Sequence, residues 1–410
     1  MQKFKYLIVG GGVAGTTAAE TIRSKDAEGS LAIVSDEPYV FYSRIMLSKP
    51  NFFLGKTAFD AIWLRKREWY EQKKIQIFLG RSAVELNPLE KTLKLDNGEI
   101  LGYEKLLLAF GARAAEWPGD EGKKAGIYYL RTLDHAKAII SAIKTAKKVV
   151  LLGGGFVGFE MCDLVRMAGL SATLVMREKY FWDFLWDEES GQMLEAALTR
   201  GGVELAHSRV VEKITGESKV EGVKLSDGSE IACDALIIGI GVKYPLAWLA
   251  GSGVKTNRGV LADEFLQTNL ADVWTAGDVA EYQDAILNER VQLGNWVNAQ
   301  EQGRRAGLNM AGEKQAFKFV SFYTAQGFGI SVAFVGNVAV VPGRDVVHRG
   351  SSQIGSYARI LVQGDHVVGA TMLNRTKDLG LISKLIEKKV SVGDKHIQLA
   401  DSDFDLKSLL

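Results

Sequence analysis

Two cysteines, six prolines and five histidines in 410 residues set the first limits on this chain. Cys162 and Cys233 are too few for a disulfide framework or for the four thiolates of an iron–sulfur cluster, and the histidines lie scattered, so no resident metal site is expected. No apolar run reaches the roughly 18 residues that cross a bilayer, so no membrane span is expected. A strand pattern follows almost directly on Met1, which leaves no room for a signal peptide and points to a cytoplasmic protein. Charge of one sign is missing too. With 50 basic and 49 acidic residues the net charge is +1, and no field favours nucleic acid or an anionic membrane as the main partner. The hydrophobic fraction of 47% excludes a disordered chain, and the length exceeds what a single core usually supports, so two or three domains are expected.

Glycine is plentiful, and it recurs in a pattern. The apolar run from Tyr6 to Val9 reads as a buried parallel strand, followed by Gly10-Gly11-Gly12-Val13-Ala14-Gly15 and a small-residue helix. The same order returns with Val149 to Leu152, then Gly153-Gly154-Gly155-Phe156-Val157-Gly158 and a second helix. A strand before the glycines and a helix after them place free N–H groups and the positive helix end beside a pyrophosphate. Gly12 and Gly155 permit close backbone approach, and Gly15 and Gly158 let helix and strand pack closely. The competing reading is two tight turns without ligands.

Each unit has a second strand whose end is informative. Leu31 to Val34 leads into Ser35-Asp36-Glu37, where a carboxylate can accept hydrogen bonds from a ribose without a 2′-phosphate. Ala172 to Val175 leads instead into Met176-Arg177-Glu178-Lys179. Arg177 and Lys179 can hold the 2′-phosphate of NADP(H), or Glu178 can take the ribose of NAD(H), and the residues do not separate the two. Both halves continue alike. Thr92 to Leu95 turns at Asn97-Gly98 and Leu106 to Ala109 ends at Gly111, while Val223 to Leu225 turns at Asp227-Gly228 and Ala235 to Ile238 ends at Gly239-Ile240-Gly241. After about Phe317 come strands expected at Ile330 to Val335 and Val338 to Val341 and a helix near Leu379 to Lys389.

Further motifs carry a resemblance. Ser35-Asp36-Glu37-Pro38, Tyr42-Ser43-Arg44-Ile45-Met46-Leu47-Ser48-Lys49, Leu107-Leu108-Ala109-Phe110-Gly111-Ala112 and Val273-Trp274-Thr275-Ala276-Gly277-Asp278 resemble the flavin reductases for ferredoxin, rubredoxin and putidaredoxin, and apoptosis-inducing factor, over roughly residues 4 to 312. The resemblance implies an α/β fold: two Rossmann-like dinucleotide-binding domains, each three-layer ββα, plus a C-terminal α+β domain. It implies an FAD domain at 1–117 with 245–316, an NAD(P) domain at 118–244, and an interface or dimerisation domain at 317–410.

By that resemblance Asp36 and Glu37 contact the adenosine ribose, Arg44 the pyrophosphate or adenosine, the backbone of Ala83 the adenine, Arg131 the flavin region and Asp278, after Gly277, the ribityl chain. Lys49 resembles a lysine near flavin N5 and Glu160 its carboxylate partner. A cation there favours the anionic reduced flavin, and the carboxylate keeps it oriented. Asn295 and Trp296 match a segment closing over flavin and nicotinamide, and Tyr323 resembles an aromatic along the flavin edge; packing is an equal reading for Trp296 and Tyr323. Ala109, Gly111 and Gly241, where the returning strands end, complete the cofactor candidates. The disulfide branches of the family carry a C-x4-C pair or one cysteine near position 43, where this chain has Ser43. Both cysteines are therefore read as packing, and electrons leave the flavin without a dithiol relay.

The expected activity is an FAD-dependent NAD(P)H oxidoreductase that moves hydride between nicotinamide and flavin and single electrons between flavin and an iron–sulfur protein. Two alternatives stand beside it: an NAD(P)-linked FAD subunit of a larger metal-containing oxidoreductase, and a redox-responsive interaction protein resembling apoptosis-inducing factor. A homodimer is among the assemblies left open. The segment Phe181 to Glu188, with two tryptophans and two phenylalanines, reads either as a buried helix start or as a lid or partner patch.

Overall fold

A computed structural model describes residues 1–119 and 124–410, which divide into two compact units. The first comprises Met1–Ile45, Ala58–Arg113 and Lys243–Ser321. Its sheet runs in the order Ile75–Leu79, Leu31–Ser35, Gln2–Val9, Ile100–Leu108, Thr92–Leu95, Ala83–Asn87, and Val273–Thr275 pairs with the far half of Ile100–Leu108. The strands beside Gln2–Val9 are parallel, whereas Thr92–Leu95 and Ala83–Asn87 form an antiparallel meander. Leu7, Ile8 and Val9 are buried on both faces, which is why this run is continuously apolar rather than alternating. The helices Val13–Lys25 and Trp296–Met310 pack so closely that a Cβ on Gly303 would lie 2.2 Å from the Ala14 carbonyl oxygen.

The second unit comprises Met46–Thr57, Ala114–Val242 and Phe322–Leu410. Its parallel sheet has the order Val203–Ala206, Ser171–Val175, Lys148–Leu152, Ala235–Ile238, Ile127–Tyr129, joined by a small antiparallel sheet of Val211–Thr215, Gly222–Leu225 and Glu230–Ala232. The last 89 residues hold a five-stranded antiparallel sheet, Phe322–Gly327, Ile330–Gly336, His366–Leu373, Ser356–Gln363 and Arg344–Ser351, with the helix Leu379–Glu387. Phe328 and Gly329 turn its first hairpin with φ of 53° and 75°, the paired positive values of a two-residue primed turn. Asp163 accepts the Phe328 N–H at 3.3 Å and so ties this hairpin to the second glycine-loop helix.

The expected strand at Val338–Val341 does not form. Gly336, at φ 68°, turns the chain out of the ladder, Asn337 N–H bonds to the Val368 carbonyl, and Val340 and Val341 end up exposed. The Phe181 to Glu188 segment resolves toward packing: Phe181, Trp182 and Trp186 are buried in one core with Phe159 and Phe334, and only Phe184 of the four aromatics is exposed. Asp187 then caps the helix Glu188–Arg200 by accepting the Ser190 N–H. Among the described residues no helix is long and apolar enough to cross a membrane, and no group of acidic, His or Cys side chains has the arrangement of a metal site.

Candidate dinucleotide and redox site

Each glycine loop is built the same way. In the first, Gly10 takes φ 111° and donates its N–H to the Val34 carbonyl at 2.8 Å, while a Cβ there would sit 2.2 Å from the Ala109 carbonyl oxygen. A Cβ on Gly15 would meet the Gly10 carbonyl oxygen at 1.9 Å. In the second, Gly153 takes φ 109°, donates to Val175 at 2.9 Å and is crowded by the Gly239 carbonyl, and a Cβ on Gly158 would lie 2.2 Å from the Gly153 oxygen. Only glycine fits these four positions.

The middle glycines differ in kind. Around a Cβ on Gly12 nothing lies within 4 Å, and on Gly155 the nearest atom is at 3.8 Å, so the space over each helix start is open. Neither Gly12 nor Gly155 caps its helix with a side chain, and neither first turn holds an acidic residue. The N–H groups of Val13 and Ala14, and of Phe156 and Val157, therefore stand at uncapped, positive helix ends suited to a pyrophosphate. These cradles fit a dinucleotide each.

The strand ends give the loops their individual chemistry. In the first unit Glu37 accepts from Arg44 at 2.6 Å and from the Tyr42 hydroxyl at 2.5 Å, so both of its oxygens have donors. Asp36 stays exposed, 3.3 Å from Arg113. Gly80 and Arg81 donate their N–H groups to the Glu37 and Ser35 carbonyls, which brings the segment entering Ala83 beside this corner. In the second unit Arg177 is 83% exposed and Glu178 only 11%. Arg177 Nε lies 3.2 Å from Glu178 Oε1, but Glu178 Oε2 is buried without a partner and lies 3.5 Å from where a Cβ on Gly154 would stand. A buried carboxylate oxygen aimed at the loop and lacking a donor is the group that a ribose hydroxyl satisfies.

The remaining candidates fall into the two units. In the first, Gly277 takes φ 82° and gives its N–H to Gln302 Oε1 at 2.7 Å, which fixes the backbone just before Asp278. Asn295 caps the helix Trp296–Met310 through the Asn298 N–H, and Trp296 Nε1 is buried without a partner. Gly111, at φ 67°, follows Ala109 and Phe110. In the second, Arg131 follows the strand Ile127–Tyr129, and Gly241, at φ 109°, accepts the Ala115 N–H on its carbonyl. Tyr323 lies edge-on to Phe156 at 4.5 Å between ring centres. Its hydroxyl pKa is raised, first by burial and then by the charge of Glu160.

Lys49 and Glu160, 111 positions apart in sequence, meet at 2.8 Å. Glu160 sits on the helix Phe156–Met167 and is buried; Lys49 caps the short helix Pro50–Phe53. Ser48 donates to the other Glu160 oxygen at 2.5 Å. Sequence reasoning gave Ser48 no role, and the only signal was its place beside Lys49. Gln302 was missed likewise, since nothing local marks a mid-helix glutamine as the partner of a glycine 25 residues earlier. Cys162 and Cys233 are free and buried. Burial pushes the Cys162 thiol well up, with Asp163 adding to it, and pushes Cys233 up to about 11, so neither is poised as a nucleophile.

Comparison with known proteins decides the family. The model of pyridine nucleotide-disulphide oxidoreductases matches residues 4–303, and a reductase C-terminal model matches 322–410. The chain belongs to the pyridine nucleotide-disulphide oxidoreductase family. Its members are FAD enzymes that exchange electrons with a nicotinamide dinucleotide. The chain is 31% identical, over 100% of its length and 99% of the relative's, to the 5,5'-dehydrodivanillate O-demethylase ferredoxin reductase subunit of Sphingobium. It is also 31% identical to the NADH-dependent phenylglyoxylate dehydrogenase subunit epsilon of Aromatoleum evansii, over 95% of this chain and 92% of that one. Among solved structures, a ferredoxin reductase from Rhodopseudomonas palustris superposes with a TM-score of 0.91 at 25% identity, covering 100% of this chain and 99% of that one.

Proposed function

We propose that this protein is an NADH-dependent FAD reductase that passes electrons singly to an iron–sulfur partner protein. The observation that carries it is the pair of like cradles, the second ending in a buried carboxylate oxygen without a donor. The reading assigns FAD to 1–117 with 245–316, NADH to 118–244 and partner contact to 317–410, in the cytoplasm. Bound FAD supplies the conversion between a hydride pair and single electrons.

The chain's own residues bind and orient. Val13 and Ala14 N–H groups hold the FAD pyrophosphate, Arg44 reinforces it while anchored on Glu37, and Asp36 and the Ala83 backbone receive the adenosine. Asp278, on a loop fixed by Gln302, takes the ribityl chain. Phe156 and Val157 N–H groups hold the NADH pyrophosphate, and Glu178 accepts from its adenosine ribose; a 2′-phosphate there meets a carboxylate instead of Arg177, which leans outward. Lys49 supplies the cation that favours reduced flavin, oriented by Glu160.

The test is steady-state reduction of a purified ferredoxin by the yellow holoenzyme with NADH and with NADPH. A kcat/KM for NADH at least about tenfold above that for NADPH is expected from one mismatched charged contact; a preference for NADPH overturns the assignment of Glu178. A second reading is favoured by the Aromatoleum subunit: an NADH-linked FAD subunit of a larger oxidoreductase. Co-purification of the native protein with a stoichiometric metal-containing subunit selects it.

A further inference from the structure

Glu160 has two carboxylate oxygens, and each has its own donor. Ser48 Oγ donates to Oε2 at 2.5 Å, and Lys49 Nζ donates to Oε1 at 2.8 Å. The donors come from adjacent residues, which a regular extended backbone sends to opposite sides. Here the chain bends between them. Ser48 ends the 3-10 turn Arg44–Ser48, and Lys49, with φ −91° and ψ 139°, is the one extended residue before the helix Pro50–Phe53. Lys49 donates its N–H to the Met46 carbonyl and accepts the Phe53 N–H, both at 3.0 Å, so the backbone of the pair is fixed at either side. Phe53 in turn lies in the same apolar core as Phe159 and Met161, which flank Glu160 on its helix.

Exposure separates the members of this set. The Glu160 side chain is 9% exposed and the Lys49 side chain 39%. An ammonium on a flexible four-carbon stem with that much access to water has alternatives to any one partner, and it makes no bidentate geometry that would fix its direction. A carboxylate held by that lysine alone can also turn about its terminal torsion and offer either oxygen. The Ser48 hydroxyl removes this freedom: with Oε2 committed, only Oε1 faces Lys49. A neutral donor does so without adding a second positive charge, so the pair keeps one cation against one anion. The Tyr323 hydroxyl also feels the Glu160 charge, and its pKa is raised first by burial and then by that charge.

We propose that Ser48 is a positioning residue for the redox centre: its hydroxyl locks the Glu160 carboxylate so that the Lys49 ammonium is held in one orientation. The proposal rests on the reading of Lys49 as the flavin's cationic partner. When Ser48 becomes alanine, Oε2 is left without a donor in a site largely closed to water, and the carboxylate is free to turn and offer Lys49 either oxygen. The ammonium then loses its single fixed direction, and the reduced flavin loses part of the stabilisation assigned to that cation.

The experiment uses the FAD-loaded protein and the variants Ser48→Ala, Ser48→Thr and Lys49→Gln, reading the flavin midpoint potential by anaerobic spectroelectrochemistry and the rate of flavin reduction by NADH. Lys49→Gln lowers the potential and sets the scale. Ser48→Ala lowers it in the same direction by less and slows reduction roughly fivefold, with KM for NADH within about twofold of the parent, as expected for an interaction that acts on the reacting state rather than on binding. Ser48→Thr, which keeps the hydroxyl, restores both. If Lys49→Gln leaves the potential unmoved, the flavin-partner reading itself falls and takes the proposal with it. If Lys49→Gln moves the potential but Ser48→Ala does not, or if Ser48→Thr fails as Ser48→Ala does, the role of Ser48 alone is overturned.

Discussion

The first glycine loop and the second share a backbone and part at the end of the next strand. Gly10 and Gly153 have almost the same φ, and Gly15 and Gly158 press on the same carbonyl one turn away. Beyond them, Glu37 has both oxygens taken by Arg44 and Tyr42, whereas Glu178 keeps one buried oxygen with no donor at all. On the proposed reading, the cradle recognises what all dinucleotides share and the strand end recognises which one is present. On that reading a carboxylate already pinned by an arginine serves as an anchor for that arginine, and one left short of a donor serves as a receptor.

The largest expected effect breaks the cradles one at a time. Gly15→Ala forces a Cβ to within 1.9 Å of a backbone oxygen. It should weaken FAD retention by up to about a hundredfold, since relieving such a contact costs up to roughly 3 kcal/mol. Gly158→Ala should leave the protein yellow and raise the KM for NADH instead. Flavin absorbance after gel filtration and initial rates read the two outcomes; equal loss of FAD in both variants would show that the loops are not independent receptors.

Next comes the support of the first site. Gln302→Leu leaves the Gly277 N–H buried without an acceptor, which costs about 1–3 kcal/mol of stability. Denaturant unfolding of the FAD-loaded protein should show that loss together with weaker FAD binding, while the KM for NADH stays put. The strand ends follow. Glu178→Gln should raise the KM for NADH about tenfold, the equivalent of one weakened charge-assisted bond, with kcat nearly unchanged; an unchanged KM would deny Glu178 its ribose.

The smallest effect lies in acid. Burial pushes the Asp187 carboxyl up, but the Ser190 hydroxyl and N–H, the Tyr357 hydroxyl and Arg359 outweigh it and hold it below the usual range. Its stabilisation is therefore complete above the ordinary aspartate pKa of about 3.9 and is lost as the pH falls below that through the lowered value. Asp187→Asn, which still caps its helix, should flatten the acid limb of the stability curve of the second unit by about 1 kcal/mol and leave the first unit alone.

Much of this was legible in the sequence for stated reasons. Positive φ and carbonyl contact admit only glycine, so Gly10, Gly15, Gly153 and Gly158 announce their geometry, and Asn97-Gly98 and Asp227-Gly228 announce hairpins. Strands buried on both faces read as unbroken apolar runs. What stayed hidden depends on direction and distance. Arg177 and Glu178 are neighbours, and only the path of the chain leaving the strand decides that Glu178 turns inward. Ser48 acquires its role from a bend at Lys49 and from a helix more than a hundred residues away. Val338 to Val341 has strand composition, but Gly336 has already turned the chain out of the sheet.

The central claim is that the chain carries hydride from NADH, held by the second cradle, to FAD, held by the first. Mixing the purified yellow protein anaerobically with NADH or NADPH in a stopped-flow spectrometer, and following the flavin absorbance, tests it most directly. Rapid bleaching by NADH with slow or weakly saturating bleaching by NADPH is the predicted result. Flavin that remains oxidised with NADH, while FAD is demonstrably bound, would contradict the account.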